Sequence, residues 1–291
     1  MNQTKKFRSL LEQPGIVVAP GVYDAIGARA AQAEGFSAVY MTGNGAMASL
    51  LGKPDLGLAT MSEMVQRAHQ IAACVEIPLI CDADTGYGGL GNIRRTVEEF
   101  EAAGLAGIHI EDQVMPKRCG ALGGVQVVPL EESADRIRAA MKARRSPDFA
   151  IIARTDAKDA VSFEEALRRA RAYDAAGADL VMVEGLESLG QIREVVESVH
   201  CPVLFNIYES SPEQAYPIKE LEAAGVKVAI NCLTTTLCAA ALMRDMMRAL
   251  REEGSTASYC GRMMPMKEYT ELLGIEAELQ FKDWDSGADA R

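Results

Sequence analysis

The chain has 291 residues, with 41 acidic and 30 basic side chains and a formal net charge of −11. That balance argues against a nucleic-acid partner, because such binders concentrate positive charge. An apolar share of 48% with few aromatics excludes fibrous and disordered classes and leaves a soluble globular protein large enough for one α/β barrel.

Apolar runs of strand length stand at 16–19, 38–41, 78–81, 107–110, 150–153, 180–183, 203–207 and 226–230. Helical patterns separate them at 23–34, 62–75, 93–103, 130–144, 162–176, 189–199 and 211–224. One phrase recurs at helix ends: Gln32-Ala33-Glu34-Gly35, Glu101-Ala102-Ala103-Gly104, Asp174-Ala175-Ala176-Gly177 and Glu222-Ala223-Ala224-Gly225. Each glycine suits the left-handed cap position, and each is followed by a buried strand. Continuous apolar strands alternating with helices imply a parallel sheet covered by helices. Eight such units in this length predict a closed (β/α)8 TIM barrel as one domain over 1–291. A further helical pattern at 237–252 is apolar on most of its circumference, and the tail to 291 is too long for a simple barrel end. The segment 237–291 is therefore expected to serve in oligomer packing.

Seven cysteines form no CxxC pair, and most lie in apolar runs. The first eight residues carry charges with no apolar region behind them, and no run approaches the roughly 18 apolar residues of a membrane span. The expectation is a reduced, cytoplasmic protein with no membrane partner.

In a barrel of this kind the reactive residues gather at the carboxyl ends of the strands. The candidates there are Tyr40, Thr42 and Gly43; Asp82 and Asp84; His109, Glu111 and Asp112; Arg154 and Asp156; Glu184; Asn206; and Asn231. Several acids facing one cavity ionise cheaply only with a cation among them, and oxygen donors without a His/Cys cluster favour Mg2+ or Mn2+ over Zn2+. Asp82 and Asp84, two apart, point to the same side of an extended strand and can share an ion; otherwise one caps a helix or pairs with a barrel cation. Cys119 follows Lys117 and Arg118 in a loop between Pro116 and Gly123-Gly124. Nearby cations favour its thiolate, and the glycines let the loop move over a substrate. Arg154 is suited to a bidentate grip on a substrate carboxylate, or to a structural ion pair with Glu184 or Asp156. The glycine-rich stretch 87–92 lacks phosphate-cradle spacing and reads as a flexible loop. His69 and His200 read as structural.

Pro20-Gly21-Val22-Tyr23-Asp24-Ala25, Gly52-Lys53-Pro54-Asp55-Leu56-Gly57, Asp82-Ala83-Asp84-Thr85-Gly86-Tyr87-Gly88, Ile110-Glu111-Asp112-Gln113, Pro116-Lys117-Arg118-Cys119-Gly120 and Ala153-Arg154-Thr155-Asp156-Ala157 resemble the isocitrate lyase/phosphoenolpyruvate mutase superfamily. The likeness runs in order from about residue 14 to 250, and it is strongest to the short lyases that act on 2-methylisocitrate or 2,3-dimethylmalate. It implies a barrel that swaps its C-terminal helix with a neighbour, in a homotetramer built from two such dimers. It implies Mg2+, with Mn2+ as a substitute, held by Asp82 with Asp84, Glu111 and Asp55 directly or through water. Thr42, Gly43 and Asn44 match the segment that holds an α-keto acid carboxylate, with Thr42 and Asn44 departing from the usual serine and glycine. Arg154, Glu184, Asn206, His109 and Gly120 complete the implied substrate contacts, and Tyr40 lies near the oxyanion.

The implied reaction is a retro-aldol cleavage of a 2-hydroxy di- or tricarboxylate to pyruvate or glyoxylate and a second carboxylic acid. Cys119 would donate the proton, with Lys117 and Arg118 stabilising the departing charge. The superfamily's lyases mostly carry histidine directly after the Cys-Gly pair, and here that position is Ala121. Its absence favours a smaller substrate such as an alkylmalate. An oxaloacetate decarboxylase or hydrolase, or a phosphonopyruvate enzyme, is the alternative. A non-catalytic keto-acid sensor is the reading that the acidic set speaks against.

Overall fold

The computed structural model describes residues 2–208 and 215–285. The chain divides into two compact units at the Thr235–Thr236 bond. In the first unit eight strands, β1 (Val17–Val22), β2 (Val39–Met41), β3 (Leu79–Asp82), β4 (Gly107–Glu111), β5 (Ala150–Thr155), β6 (Leu180–Val183), β7 (Val203–Asn206) and β8 (Val228–Asn231), pair in chain order. All neighbours are parallel, and β1 meets β8 through Val17↔Val228 to Pro20↔Asn231, which closes the barrel. The helices of this unit are α1 (Gln3–Glu12), α2 (Ala25–Ala33), α3 (Gly43–Leu51), α4 (Met61–Cys74), α5 (Leu90–Ala102), α6 (Leu130–Ala143), α7 (Ala157–Ala160), α8 (Phe163–Ala175), α9 (Leu189–Ser198) and α10 (Ile218–Ala223).

The recurrent cap phrase works as its glycines suggest. Gly35, Gly104, Gly177 and Gly225 all have φ between +83° and +91°. In each case the residue after the glycine donates its N–H five residues back, as Phe36 does to Ala31 O and Val226 to Leu221 O. That bond ends the helix and aims the chain at the next strand. At β8 the cap bond of Val226 is followed directly by Lys227, whose N–H donates to Val203 O and whose carbonyl accepts from Val17 N–H.

Strand side chains alternate between two cores. Inside the barrel pack Tyr40, Ile80, Ile152, Met182, Leu204, Val228 and Ile230; between sheet and helices pack Met41, Ile108, Ile110, Val181 and Val183 against Ile71, Phe100, Ile137 and Tyr173. Helix α1, which hydrophobic periodicity alone did not predict, puts the fully buried Phe7 into the inner core. Its Arg8 pairs with Asp179 at 2.6 Å. The helix expected at 211–224 is described only as Ile218–Ala223, with 211–214 outside the described residues.

The second unit holds most of α11 (Thr234–Glu253), then α12 (Met266–Leu272) and α13 (Ile275–Asp285). Leu237, Met243, Met247 and Leu250 are exposed along α11, and Met266 and Leu279 further on. Among the described residues no helix is long and apolar enough to cross a membrane.

Candidate active site

The carboxyl end of the barrel gathers most of the expected residues into one buried polar cluster. Asp82 closes β3, and Gly43 opens α3 directly against it: a Cβ on Gly43 would lie 2.1 Å from Asp82 Oδ2. Only glycine allows the start of α3 to pass this close to the carboxylate. Thr42 caps α3 by accepting from Gly45 N–H, and Asn44 follows in the first turn. From β4, His109 Nε2 lies 2.7 Å from Tyr40 Oη and 3.7 Å from Asp82 Oδ1. Burial holds His109 down to about 4, so the imidazole is neutral. Burial alone would raise Asp82, but His109, Lys117, Arg154 and the Asp84 N–H hold it down to about 2, so it is ionised.

Asp84 does not continue the extended strand. Its φ of +48° puts it in a left-handed turn, with its N–H donated to Asp82 Oδ1 and its carbonyl accepting from Glu111 N–H. The same-side argument for the two aspartates therefore fails in its geometry, although a turn still keeps them together. What Asp84 meets is Lys117, whose buried Nζ lies 2.6 Å from Asp84 Oδ1 and 2.8 Å from Asp55 Oδ1. Burial disfavours that charge, yet Asp84, Asp82, Glu111 and Asp55 together hold the ammonium well above its ordinary range.

The loop from Pro116 is tied down at several points. Cys119 N–H donates to Asp55 O, and the Gln113 side chain brackets Arg118 through both its N–H and its carbonyl. Arg118 itself is exposed, with Nη1 near Gly123 O, so it stands apart from the buried cluster. Gly120 passes close to Glu184 and Arg154, where a Cβ would lie 3.3 and 3.4 Å from them. The expected thiolate at Cys119 is not what the structure favours. Burial pushes the thiol up, and Asp55 adds to this; Lys117 and Arg154 oppose it but are themselves engaged by acids. Cys119 is thus a neutral thiol, the form that can give a proton. Its alkylation by iodoacetamide is expected to be slow at pH 7 and to quicken about tenfold per pH unit toward its raised pKa. Peptide mapping against the exposed Cys238 and Cys260 checks this, and labelling of Cys119 ahead of both at pH 7 would contradict it.

Arg154 takes the structural pairing rather than leaving its fork open. Its Nε and Nη2 grip Asp156 at 3.0 and 2.7 Å, and Nη1 faces Glu111 Oε2 at 3.4 Å. Glu184 lies 4.0 Å from Arg154 Nε and accepts from Asn206 Nδ2 at 3.1 Å.

Residues 7–252 match the phosphoenolpyruvate phosphomutase family. The chain belongs to that family. It is 42% identical over 276 residues to the 2,3-dimethylmalate lyase of Eubacterium barkeri, covering 95% of this chain and 96% of the relative. It is 40% identical over 267 residues to a 2-methylisocitrate lyase of Aeropyrum pernix, covering 92% and 86%. Its fold matches a solved oxaloacetate acetylhydrolase bound to 3,3-difluorooxaloacetate with a TM-score of 0.93 at 37% identity, over 99% of this chain and 98% of that one. As a phosphoenolpyruvate phosphomutase family member it falls within the superfamily shared with isocitrate lyase, as its motifs suggested.

A divalent cation can be tested on this family member's own donors. Among the described residues no three His, Cys, Asp or Glu side chains converge tightly enough to enclose an ion alone. Lys117 occupies Asp55 and Asp84. Glu111 Oε1, however, is buried without a hydrogen-bond partner, and burial pushes its carboxyl well up. An ionised Asp82 beside an unsatisfied Glu111 fits a hard ion that keeps several waters and takes one or two carboxylates, as Mg2+ does.

Two tyrosines escaped the sequence reading. Tyr208, two residues beyond Asn206, faces Glu184, Cys119 and Arg154, and burial with the Glu184 charge pushes its phenol up. Tyr87, inside the stretch read as a flexible loop, has φ +59° and a buried hydroxyl without a hydrogen-bond partner among the described residues. Tyr208's position just past a strand end was the available signal, and Tyr87 lay in the 82–88 stretch past the end of β3.

Proposed function

We propose that this chain is a Mg2+-dependent carbon–carbon lyase that cleaves a small 2-hydroxy dicarboxylate of the dialkylmalate type to an α-keto acid and a second carboxylic acid. The observation that carries this reading is the position of Cys119, on a loop tied to Asp55 O through its own N–H and next to Gly120, which passes against Glu184 and Arg154. When bound by Asp82 and Glu111, Mg2+ supplies Lewis-acid polarisation of the oxygen on C2. The α3 amides of Gly43 and Asn44, with Thr42 capping that turn, receive the C1 carboxylate. The Arg154 Nη edge stabilises the C2 oxygen as it becomes a carbonyl.

Tyr40 Oη accepts the C2 hydroxyl proton and passes its own to His109 Nε2, which is neutral and within hydrogen-bond reach. The C2–C3 bond breaks, its electron pair leaving on the second fragment as an enolate-like dianion. Cys119 Sγ–H protonates that carbon, and solvent reprotonates the thiolate left behind. His109, a weak base in this buried setting, returns its proton as product leaves.

Ala121 adds no charge beside Gly120, and Tyr208 offers only a neutral phenol there. Both suit a substrate with one carboxylate fewer than methylisocitrate. A second reading, hydrolysis of oxaloacetate to oxalate and acetate, draws support from the close fold match to oxaloacetate acetylhydrolase. Incubation with Mg2+ and a panel of dialkylmalates, methylisocitrate and oxaloacetate separates them. Pyruvate or glyoxylate appearing only with hydroxy acids supports the lyase. Oxalate formed from oxaloacetate with no hydroxy-acid cleavage would transfer the assignment to the hydrolase.

The whole chain serves as one cytoplasmic catalytic unit, with the second unit as the arm of a helix-swapped dimer, two dimers forming a tetramer. The exposed Leu237, Met243, Met247 and Leu250 of α11 support this, since a contiguous apolar face calls for a cover. Light scattering is expected to give four times the 31.3 kDa chain mass, and a monomer would refute the arrangement.

A further inference from the structure

We propose that the buried Asp112–Arg169 pair is a positioning device for Arg154, acting on it from the helix side of the sheet. The sequence marks Asp112 only as a second acid beside Glu111. Inside-facing positions on β4 are His109 and Glu111, and alternation turns Asp112 to the opposite side, where it is 1% exposed. There its Oδ2 accepts from Thr155 Oγ1 at 2.6 Å, Tyr173 Oη at 2.8 Å and Arg169 Nη1 at 2.9 Å. Its Oδ1 accepts from the Asp156 N–H at 3.0 Å.

Two of these four bonds reach the two residues directly after Arg154. Asp156, whose backbone Asp112 fixes, is also the residue that grips Arg154 with both carboxylate oxygens. Arg169 is itself pinned, donating Nη2 to Val128 O at 2.8 Å and Nε to Glu165 Oε1 at 2.9 Å. The path therefore runs from Arg169 and Tyr173 on α8, through Asp112, to Thr155 and Asp156, and on to the guanidinium in the barrel mouth.

A buried ion pair is a poor way to gain stability, because apolar residues of similar volume often do as well. It is a good way to fix direction, since a charged acceptor holds several donors in short, oriented bonds. Precision of this kind matters at Arg154, where a misplacement of about 1 Å can cost about a hundredfold in rate.

The inference rests on the reading of Arg154 as the group that meets the substrate anion, and it is tested by binding rather than turnover. The probe is oxalate, a planar dianion that mimics an enolate product, titrated calorimetrically in the presence of Mg2+. Thr155→Val and Tyr173→Phe each remove one bond to Asp112 while keeping its shape partner, and Asp112→Asn removes the charge. Each is expected to weaken oxalate by about tenfold. In an Arg154→Lys background the same changes are expected to alter affinity by less than about twofold, because their effect passes through the guanidinium. Their shifts in Tm should be the same in both backgrounds.

Equal losses of affinity in both backgrounds would overturn the proposal, since the network would then act on the fold at large. Unchanged affinity in Thr155→Val and Tyr173→Phe alone would overturn it as well. If Arg154→Lys by itself left oxalate binding intact, the anion-binding role of Arg154 would fall, and the positioning role with it. If Asp112→Asn does not fold, the two milder variants decide.

Discussion

Replacing Cys119 with serine is expected to lower kcat by about 10²–10⁴-fold while leaving the binding of oxalate with Mg2+ within about threefold. The serine hydroxyl is close in size to the thiol and keeps the Cys119 N–H bond to Asp55 O, so the loop should hold its course. What changes is acidity. The thiol, although raised by burial, still ionises at far lower pH than an alcohol, and only a group that yields its proton readily can quench the departing carbanion. In solvent deuterium the residual turnover should carry label at the α-carbon of the released carboxylic acid, the former C3, without facial selectivity, since water would then replace the protein donor. Near-normal kcat in Cys119→Ser would remove the thiol from the reaction and with it the strongest reason for a lyase.

The second large effect is expected at Lys117. Its ammonium is the sole counter-charge that the described residues place within 3 Å of the Asp55 and Asp84 carboxylates. Lys117→Met leaves two buried acids facing one another, which costs about 3–5 kcal/mol. For a unit of this size that is a fall in Tm of about 6–20 °C. Millimolar Mg2+ should restore part of the loss in the variant and much less in the parent, because a cation can occupy the space that the ammonium leaves. Turnover should fall too, since the same side chain anchors the segment that carries Cys119. A melting temperature equally low with and without Mg2+ would show that the acids are not a cation site, and an unchanged one would show that they are not ionised.

The barrel was legible because its signals are local. Runs such as Ala150 to Ala153 are apolar throughout, which marks a strand covered on both faces, and the four Gly caps mark where each helix stops. Helix α3 was not legible: it begins Gly43-Asn44-Gly45, poor helix formers that stay helical only because Thr42 caps them and Gly43 must pass Asp82. The acids were legible as residues but not as partners. Nothing near Lys117 in the chain tells that it reaches Asp55, 62 positions away, instead of serving Cys119. The Cys119 shift was equally hidden, because it comes first from burial, which only the folded loop reveals, and the nearby cations do not offset it. Asp84 likewise reads as extended until its positive φ is known.

Phe7 belongs to the inner barrel core together with Val17 from the first strand and Val228 and Ile230 from the last. On the ribosome this side chain is made before its partners, and more than two hundred residues follow before its cavity is complete. At ordinary synthesis rates that is roughly 10–40 s. Through that interval α1 has no complete surface to seal, and β1 lacks its β8 neighbour. Closure of the barrel through the β1–β8 pairing therefore cannot precede synthesis of the last strand, however early α1 and β1 emerge.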